Sequence, residues 1–312
     1  MMFEIEYAEG DEAVELLLDS DDYLKKMSPL ERGLRIHGKV LPETNSIDDL
    51  RAHLSKQTMT WTAGEKAKVG RILETIKGKL AIYDLKFPDT IKLVKTTGLD
   101  DIRGCSGYCR AKTIVMADST IERSDKDFEA FLVHELFHIQ SQVDPDTRYR
   151  LYAQLGFTCT NEIQIPPALA SKKITNPDAQ DLNVVITVDV GGESATVHDK
   201  SVTCVPIILF DAEKGGSVFN CLDIVLLEVT KESDSDKYVV AENYKTHRIP
   251  DVSNFFDQIG KTHYYFHPEE VLATRFEEMV RVQNFDDRFV KMLHDTLVSS
   301  VGLDRDDSES EN

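Results

Sequence analysis

The sequence predicts an α+β protein: a helical N-terminal region, a mixed core of strands and helices, and a β-rich insertion that interrupts that core. Three observations carry this expectation. Apolar residues recur at helical spacing through most of residues 11–95. Alternating or β-branched runs, bounded by Gly, Asp and Ser, dominate residues 171–245. Between these regions the pattern reads strand, loop, strand, helix, and two further helices follow the β-rich stretch.

In chain order, Asp11 to Leu18, Pro29 to Ile36, Ile47 to Leu54 and Glu65 to Leu85 are the expected N-terminal helices. Thr62 followed by Glu65 is a capping box that would start the longest of them. Ile91 to Val94 and Lys112 to Met116 have strand character, separated by a turn region containing Gly98, Gly104 and Gly107. Ser124 with Asp127 opens a helix whose apolar stripe is Phe128, Phe131, Leu132, Leu136 and Ile139. Pro145 disfavours helical geometry at Asp144 and so ends it. Val184 to Val188, Val202 to Phe210, Ile224 to Val229 and Tyr238 to Val240 are the strands of the insertion. Pro268 is a first-turn proline for a helix through Val280, and another helix covers Asp286 to Leu297. The expected organisation is a helical region over 1–89, a first core segment over 90–170, the insertion over 171–261 and a second core segment over 262–300. An acidic tail over 301–312, without apolar residues from Asp304 onward, is expected to be disordered.

Bulk properties narrow the function. The 312 residues are 41% hydrophobic and 29% charged, as in water-soluble globular proteins. Acidic residues outnumber basic ones 55 to 36, for a net charge of −19, and no basic block appears, which argues against nucleic acid as a partner. No apolar run has the length of a membrane span, and the first residues lack a basic segment leading into an apolar one. Five scattered cysteines without a C-x₂-C pair suggest free thiols. A cytoplasmic location is the resulting expectation.

The segment that carries chemistry is His134-Glu135-Leu136-Phe137-His138, an HExxH motif inside the helix opened by Ser124. Histidines four apart stand one above the other on a helix face, so both imidazoles can bind one zinc ion, Zn2+. Glu135 is then placed to act as general base toward water at the metal. Zinc in a catalytic site needs a third protein ligand and an open position. One class of HExxH protein continues as HExxHxxGxxH; here those positions hold Ser141 and Asp144, and Asp144 could replace the final histidine, although Ser141 resists the immediate turn.

The other class takes its third ligand from a later helix. HELFH together with His267-Pro268-Glu269-Glu270-Val271-Leu272-Ala273 resembles the gluzincins, HExxH zinc metallopeptidases of the zincin group. The pieces HELFH, Asn176-Pro177-Asp178 and HPEE together resemble an uncharacterised subfamily of them. The resemblance covers about a quarter of the chain and implies a zincin-like catalytic core. It implies Glu270 as third ligand, with Ala273 one turn on letting the two ligand helices approach; Glu269 is the alternative ligand, or else a cap on the helix N-terminus. Thr274 stands where an acidic residue often orients a ligand histidine. The spacing from His138 to Glu270, 270 − 138 = 132 residues, is long for this group and is attributed to the insertion.

The resemblance further implies hydrolysis of a peptide or protein substrate, with Glu135 as base and strand Lys112 to Met116 as the edge that pairs with an extended peptide. Tyr265 and His267, with Tyr264 and His263, are the expected donors to the developing oxyanion. A deformylase-like site with Cys105 or Cys109 as ligand lacks its flanking segments. The alternative class of function is a degenerate zincin acting as a non-catalytic protein-binding module.

Overall fold

The computed structural model describes residues 3–19, 22–40, 45–191, 200–283 and 285–298. The tail expected to be disordered lies outside the described residues. The fold is mixed α+β, with two sheets among the described residues.

The chain begins with a strand, β1 (Glu4–Ala8), which the reading of 1–89 as helical did not anticipate. Helices α1 (Gly10–Asp19), α2 (Tyr23–Lys26), α3 (Pro29–His37) and α4 (Ile47–Leu54) follow, then β2 (Thr58–Met59) and α5 (Ala63–Leu80). Caps start the longer ones: the Ser28 side chain accepts from Glu31 N, while Ser46/Asp49 and Thr62/Glu65 form capping boxes. Helix α5 stops at Leu80, short of the expected Leu85, because the next residues turn and Asp84 N donates to Leu297 O.

Next come β3 (Thr90–Thr96), β4 (Gly107–Arg110) and β5 (Thr113–Ala117), then α6 (Asp118–Ile121), α7 (Asp125–Val143) and α8 (Pro145–Gln154). The first sheet has the order β1-β3-β5-β4, with β2 on β3. β1, β3 and β5 run parallel, and β4 is antiparallel to β5. This corrects one expectation. The strand at Lys112 to Met116 is internal, and the edge is β4, inside what the sequence presented as a turn region. The hairpin turns on Ala111, at φ 50°, without the Asn-Gly or Asp-Gly signature that reveals such turns.

Alternation assigns the sheet's faces. Ala8, Val94, Tyr108 and Val115 pack under α1 with Ala13 and Leu17. Ile91, Leu93, Ile114 and Met116 face α5 and α7. Phe128, Leu132, Leu136 and Ile139 of α7 are fully buried in that cluster, each contributing about 1.5–3 kcal/mol of transfer free energy.

The second sheet is antiparallel. It contains β6 (Phe157–Cys159) and, after α9 (Pro167–Ala170), β7 (Lys173–Ile174), β8 (Val184–Val190), β9 (Lys200–Phe210), β10 (Leu222–Lys231), β11 (Tyr238–Val240) and β12 (Thr246–Arg248). Its order is β11-β10-β9-β8-β6, with β12 on β10 and β7 on β9. One face carries Val185, Val205, Ile207 and Leu227 in a cluster of its own. The other sends Ile186, Val188, Cys204 and Leu226 into the same core as α7. The chain closes with α10 (Phe255–Ile259), α11 (Pro268–Val282) and α12 (Arg288–Val298).

A buried polar cluster joins the outer helices to the second sheet. Arg35 on α3 donates to Glu31 Oε1 and to Thr175 O, both at 2.9 Å, and pairs with Asp101. Glu31 in turn accepts from Thr175 N and Thr175 Oγ at 2.8 and 3.0 Å. Removing one partner of such a cluster leaves buried charge uncompensated. Arg35→Leu is expected to lower the urea unfolding free energy by about 3–5 kcal/mol, and a loss below about 1 kcal/mol would contradict this role.

Candidate metal centre

His134 and His138 lie one turn apart on α7, their rings 4.8 Å apart between centroids. The capped N-terminus of α7 and its buried stripe set the rotation that turns both imidazoles toward α11. Glu270, in the first turn of α11, meets them there. His134 Nε2 stands 3.3 Å from Glu270 Oε2, and His138 Nε2 stands 3.9 Å from the same oxygen. The three ligand atoms lie within 4.8 Å of one another.

These distances test the fit of a metal ion. Two donors about 2.0–2.1 Å from one zinc at a tetrahedral angle stand about 3.3–3.4 Å apart. The His134–Glu270 separation matches, and the His138–Glu270 separation is within a small side-chain adjustment. His138 Nε2 is also buried without a hydrogen-bond partner, an arrangement that costs about 1–3 kcal/mol unless something fills it. Residues and geometry fit a zinc-sized cation.

Glu269, the neighbour of Glu270, has a different task. His138 Nδ1 donates to Glu269 Oε1 at 3.0 Å, Ser141 Oγ donates to Oε2 at 2.7 Å, and the Tyr152 hydroxyl donates to the same oxygen. A carboxylate on Nδ1 fixes the tautomer that presents Nε2 as a lone pair. The acidic side chain that meets a histidine of the pair is thus Glu269 and not one at position 274, where Thr274 bonds back to Glu270 O at 3.0 Å. Neither alternative role suggested for Glu269 is the one it has. The α11 N-terminus is capped by His267, whose Nδ1 accepts from Glu269 N at 3.1 Å.

Charge supports the same grouping. Burial by itself would lower the His138 pKa, but Asp178, Glu269 and Glu270 carry it well above the ordinary value. Burial would raise Glu270, yet His134, His138 and Asn176 hold it down at about 2. A cation at Nε2 would satisfy these carboxylates as a proton does.

Glu135 is buried, with Oε2 unpartnered, and burial raises its carboxyl pKa despite the two histidines. It lies against Asp178 and Cys109, their ligand-type atoms within 4.8 Å of one another. The Cys109 thiol is pushed well up by burial and by Glu135 and Asp178, so it is a poor metal ligand. Cys105 donates to Gly107 O at 3.3 Å and lies outside both groups of potential ligands. Asp144 caps α8 and pairs with Lys86 at 3.1 Å, while Ser141 serves Glu269, so neither belongs to the ligand cluster.

Asn176 and Asp178, which belong to the Asn-Pro-Asp piece of the sequence resemblance, both reach this centre. Asn176 Nδ2 donates to Glu270 Oε1 at 2.7 Å. Asp178 Oδ1 accepts from Cys109 N at 2.5 Å. The compact Asn-Pro-Asp turn was the available signal; its target, across the fold, was not.

A cleft of about 1080 Å³ opens over the centre, lined by Gly104 to Gly107, His134, Glu135 and Glu270, and by Ile208, Phe219, Leu222 and Ile224 of the second-sheet region. Tyr264 stands at the cleft, half exposed, with its ring 5.9 Å from His134. His263 and Tyr265 also line it, the Tyr265 ring packing edge-on against Phe256. His267 does not line it. Its ring packs against Tyr152, burial holds its pKa down at about 4, and it faces a separate cavity of about 300 Å³ with Glu269.

Because Glu269 orients His138, Glu269→Gln is expected to weaken zinc binding about 10–100-fold in chelator competition while the fold is retained. Unchanged affinity would show that the carboxylate does not act through the histidine. Compared with known proteins, the chain matches no family model, no curated protein and no solved structure.

Proposed function

We propose that this protein is a zinc-dependent hydrolase of peptide bonds. The observation that carries the reading is the convergence, beneath one cleft lined by His134, Glu135 and Glu270, of two imidazole nitrogens and a carboxylate at zinc-ligand spacing beside an unpartnered buried glutamate. His134, His138 and Glu270 would hold the ion. Zinc bound there supplies Lewis acidity toward water and the scissile carbonyl.

The chain's own residues supply the rest. Glu135 Oε2 has no competing hydrogen bond and is free to take a proton from the attacking water. The water oxygen bonds to the carbonyl carbon, the C–N bond breaks, and Glu135 delivers its proton to the departing nitrogen. The products are a carboxylate and an amine, with no redox change. Tyr264, the phenol in ring contact with His134, is placed to donate toward the carbonyl oxygen. Glu269 and Asn176 hold a histidine and the glutamate in register. A peptide or protein substrate suits a cleft of this size, one wall of which is Gly104 to Gly107 at the start of β4, the last strand in the order of its sheet among the described residues. Among the described residues no helix is long and apolar enough to cross a membrane.

Purified protein is expected to carry one zinc per chain, and His138→Ala is expected to lose it. Glu135→Gln keeps the side chain's size and should retain zinc while turnover of a mixed peptide pool falls about 10²–10⁴-fold. Zinc retained with no turnover in the unaltered chain would favour the non-catalytic binding module. Equal turnover in Glu135→Gln would refute the base.

A further inference from the structure

The inner face of the second sheet runs past the core and into the cleft. On β10 the side chains of Leu226, Ile224 and Leu222 alternate onto one face, and Ile208 of β9 stands opposite Ile224. Leu226 is fully buried in the shared core, whereas Ile224, Leu222 and Ile208 are partly exposed and line the cleft. The strip is held from behind. Ile208 and Leu222 pack on the buried cluster of Leu34, Ile102 and Phe210, and Ile224 packs on the main core. An apolar sheet face is ordinarily covered by a second layer, and here the cleft stands where that layer would be.

Two aromatic rings extend the strip. Phe219, in the turn just before β10, and Tyr264 are each 50% exposed, the most exposed Phe and Tyr side chains among the described residues, and both line this cleft. Phe219 also reaches the opposite wall. A Cβ added at Gly104 would stand 3.3 Å from its Cε2, so the ring lies against a residue with no side chain to displace it.

The strip is near the ligands. Ile208 pairs with Ile174 of β7, and two residues on Asn176 bonds Glu270 at 2.7 Å. Extended chain advances about 3.3 Å per residue, so a peptide side chain that touches the strip is within about three residues of a bond held at the metal. Charge offers a substrate less. Arg35 pairs with Glu31 and Asp101, Arg281 pairs with Glu277, Arg123 donates to Ser106 Oγ, and Asp127 accepts from Ser124 Oγ. A charged substrate side chain would compete with these partners, whereas an apolar one covers surface now left to water.

We propose that the cleft selects peptides with a large apolar side chain near the bond that is cut, and that Phe219, with the strip of Ile208, Leu222 and Ile224, is the surface that selects them. This inference rests on the hydrolytic reading above and narrows its substrate. It gives the β-rich region the choice of substrate and leaves the chemistry to α7 and α11.

The test uses the full chain loaded with zinc and a mixed library of short peptides, with the cut sites read by mass spectrometry over the three residues on either side. Phe, Leu, Ile or Met should be enriched at one of these positions, with kcat/KM about 10–100-fold above that of the matching alanine peptide. Phe219→Ala touches neither the ligands nor Glu135. It should keep zinc content and turnover of the alanine peptide while cutting the preference for large apolar residues about 10-fold. Phe219→Lys should go further and bring in cleavage near Asp or Glu. Half of the ring is in water, so neither substitution removes a core residue, and the library read on the unaltered chain stands without them. Cuts with no apolar enrichment, or a preference that neither variant changes, would overturn the inference and leave the hydrolase reading in place. Failure to cleave any peptide, with zinc bound, would overturn the hydrolase reading and this inference with it.

Discussion

The candidate centre depends on one buried carboxylate. Glu269 takes bonds from His138 and Ser141 of α7 and from Tyr152 of α8, and so fixes how α11 is rotated against those helices. Consecutive helical residues point about 100° apart, so locking Glu269 onto Nδ1 of His138 turns Glu270 toward the Nε2 side of the two imidazoles. Packing reinforces the lock. Ala273 is fully buried one turn on, and the rings of Phe137 and Phe276 meet at 5.4 Å. A larger residue at 273 would hold the helices apart, and the 3.3 Å approach of Glu270 to His134 would be lost with them.

A second constraint is charge. Glu135, Asp178, Glu269 and Glu270 crowd around two imidazoles in a region largely withdrawn from water. So many carboxylates are costly to bury without a cation. The consequences appear as opposed shifts: the Asp178 carboxyl is pushed well above its usual range by burial, while Glu270 is held at about 2 by the histidines and Asn176. The centre is thus arranged for positive charge, whether a proton on His138 or a metal ion between the three ligands.

The second-sheet region takes part in this arrangement. A series of contacts runs from α3, through Arg35 and Glu31, to Thr175, and the next residue, Asn176, bonds Glu270. The sheet's inner face shares one apolar cluster with α5, α7, α11 and α12. Segments distant in sequence therefore converge on the same carboxylate, and the N-terminal region contributes both β1 of the first sheet and the anchor for Thr175. The cleft wall from Ile208 to Ile224 belongs to the same unit.

Local rules made much of this legible beforehand. Caps at Ser124 and Thr62 and apolar periodicity located α1, α3, α4, α5, α7, α11 and α12, though not α2, α6, α8, α9 or α10, and the i, i+4 spacing alone placed His134 and His138 on one face. Those features are legible because helical geometry links residues within one or two turns. The choice between Glu269 and Glu270 is different: both are acidic and adjacent, and only the packing of α11 on α7 and α8 separates them. His267 had the residue type of a proton donor, but its position at the start of α11 made it a cap. β1 and β4 were missed because a short strand acquires its meaning from its neighbours, and β4 became the edge only once β5 had paired on its other side with β3. Asn176 and Asp178 show the same limit. Their turn is local, but bonds to Glu270 and Cys109, 94 and 69 residues away, exist only after the sheet has docked. Periodicity and capping act through the backbone of one element, so sequence alone determined the periodic helices and the histidine pair, while α2, α6, α8, α9 and α10 emerged only in the fold. Contacts between elements depend on how whole surfaces pack, so the tertiary structure decided which carboxylate faces the imidazoles and which residues wall the cleft.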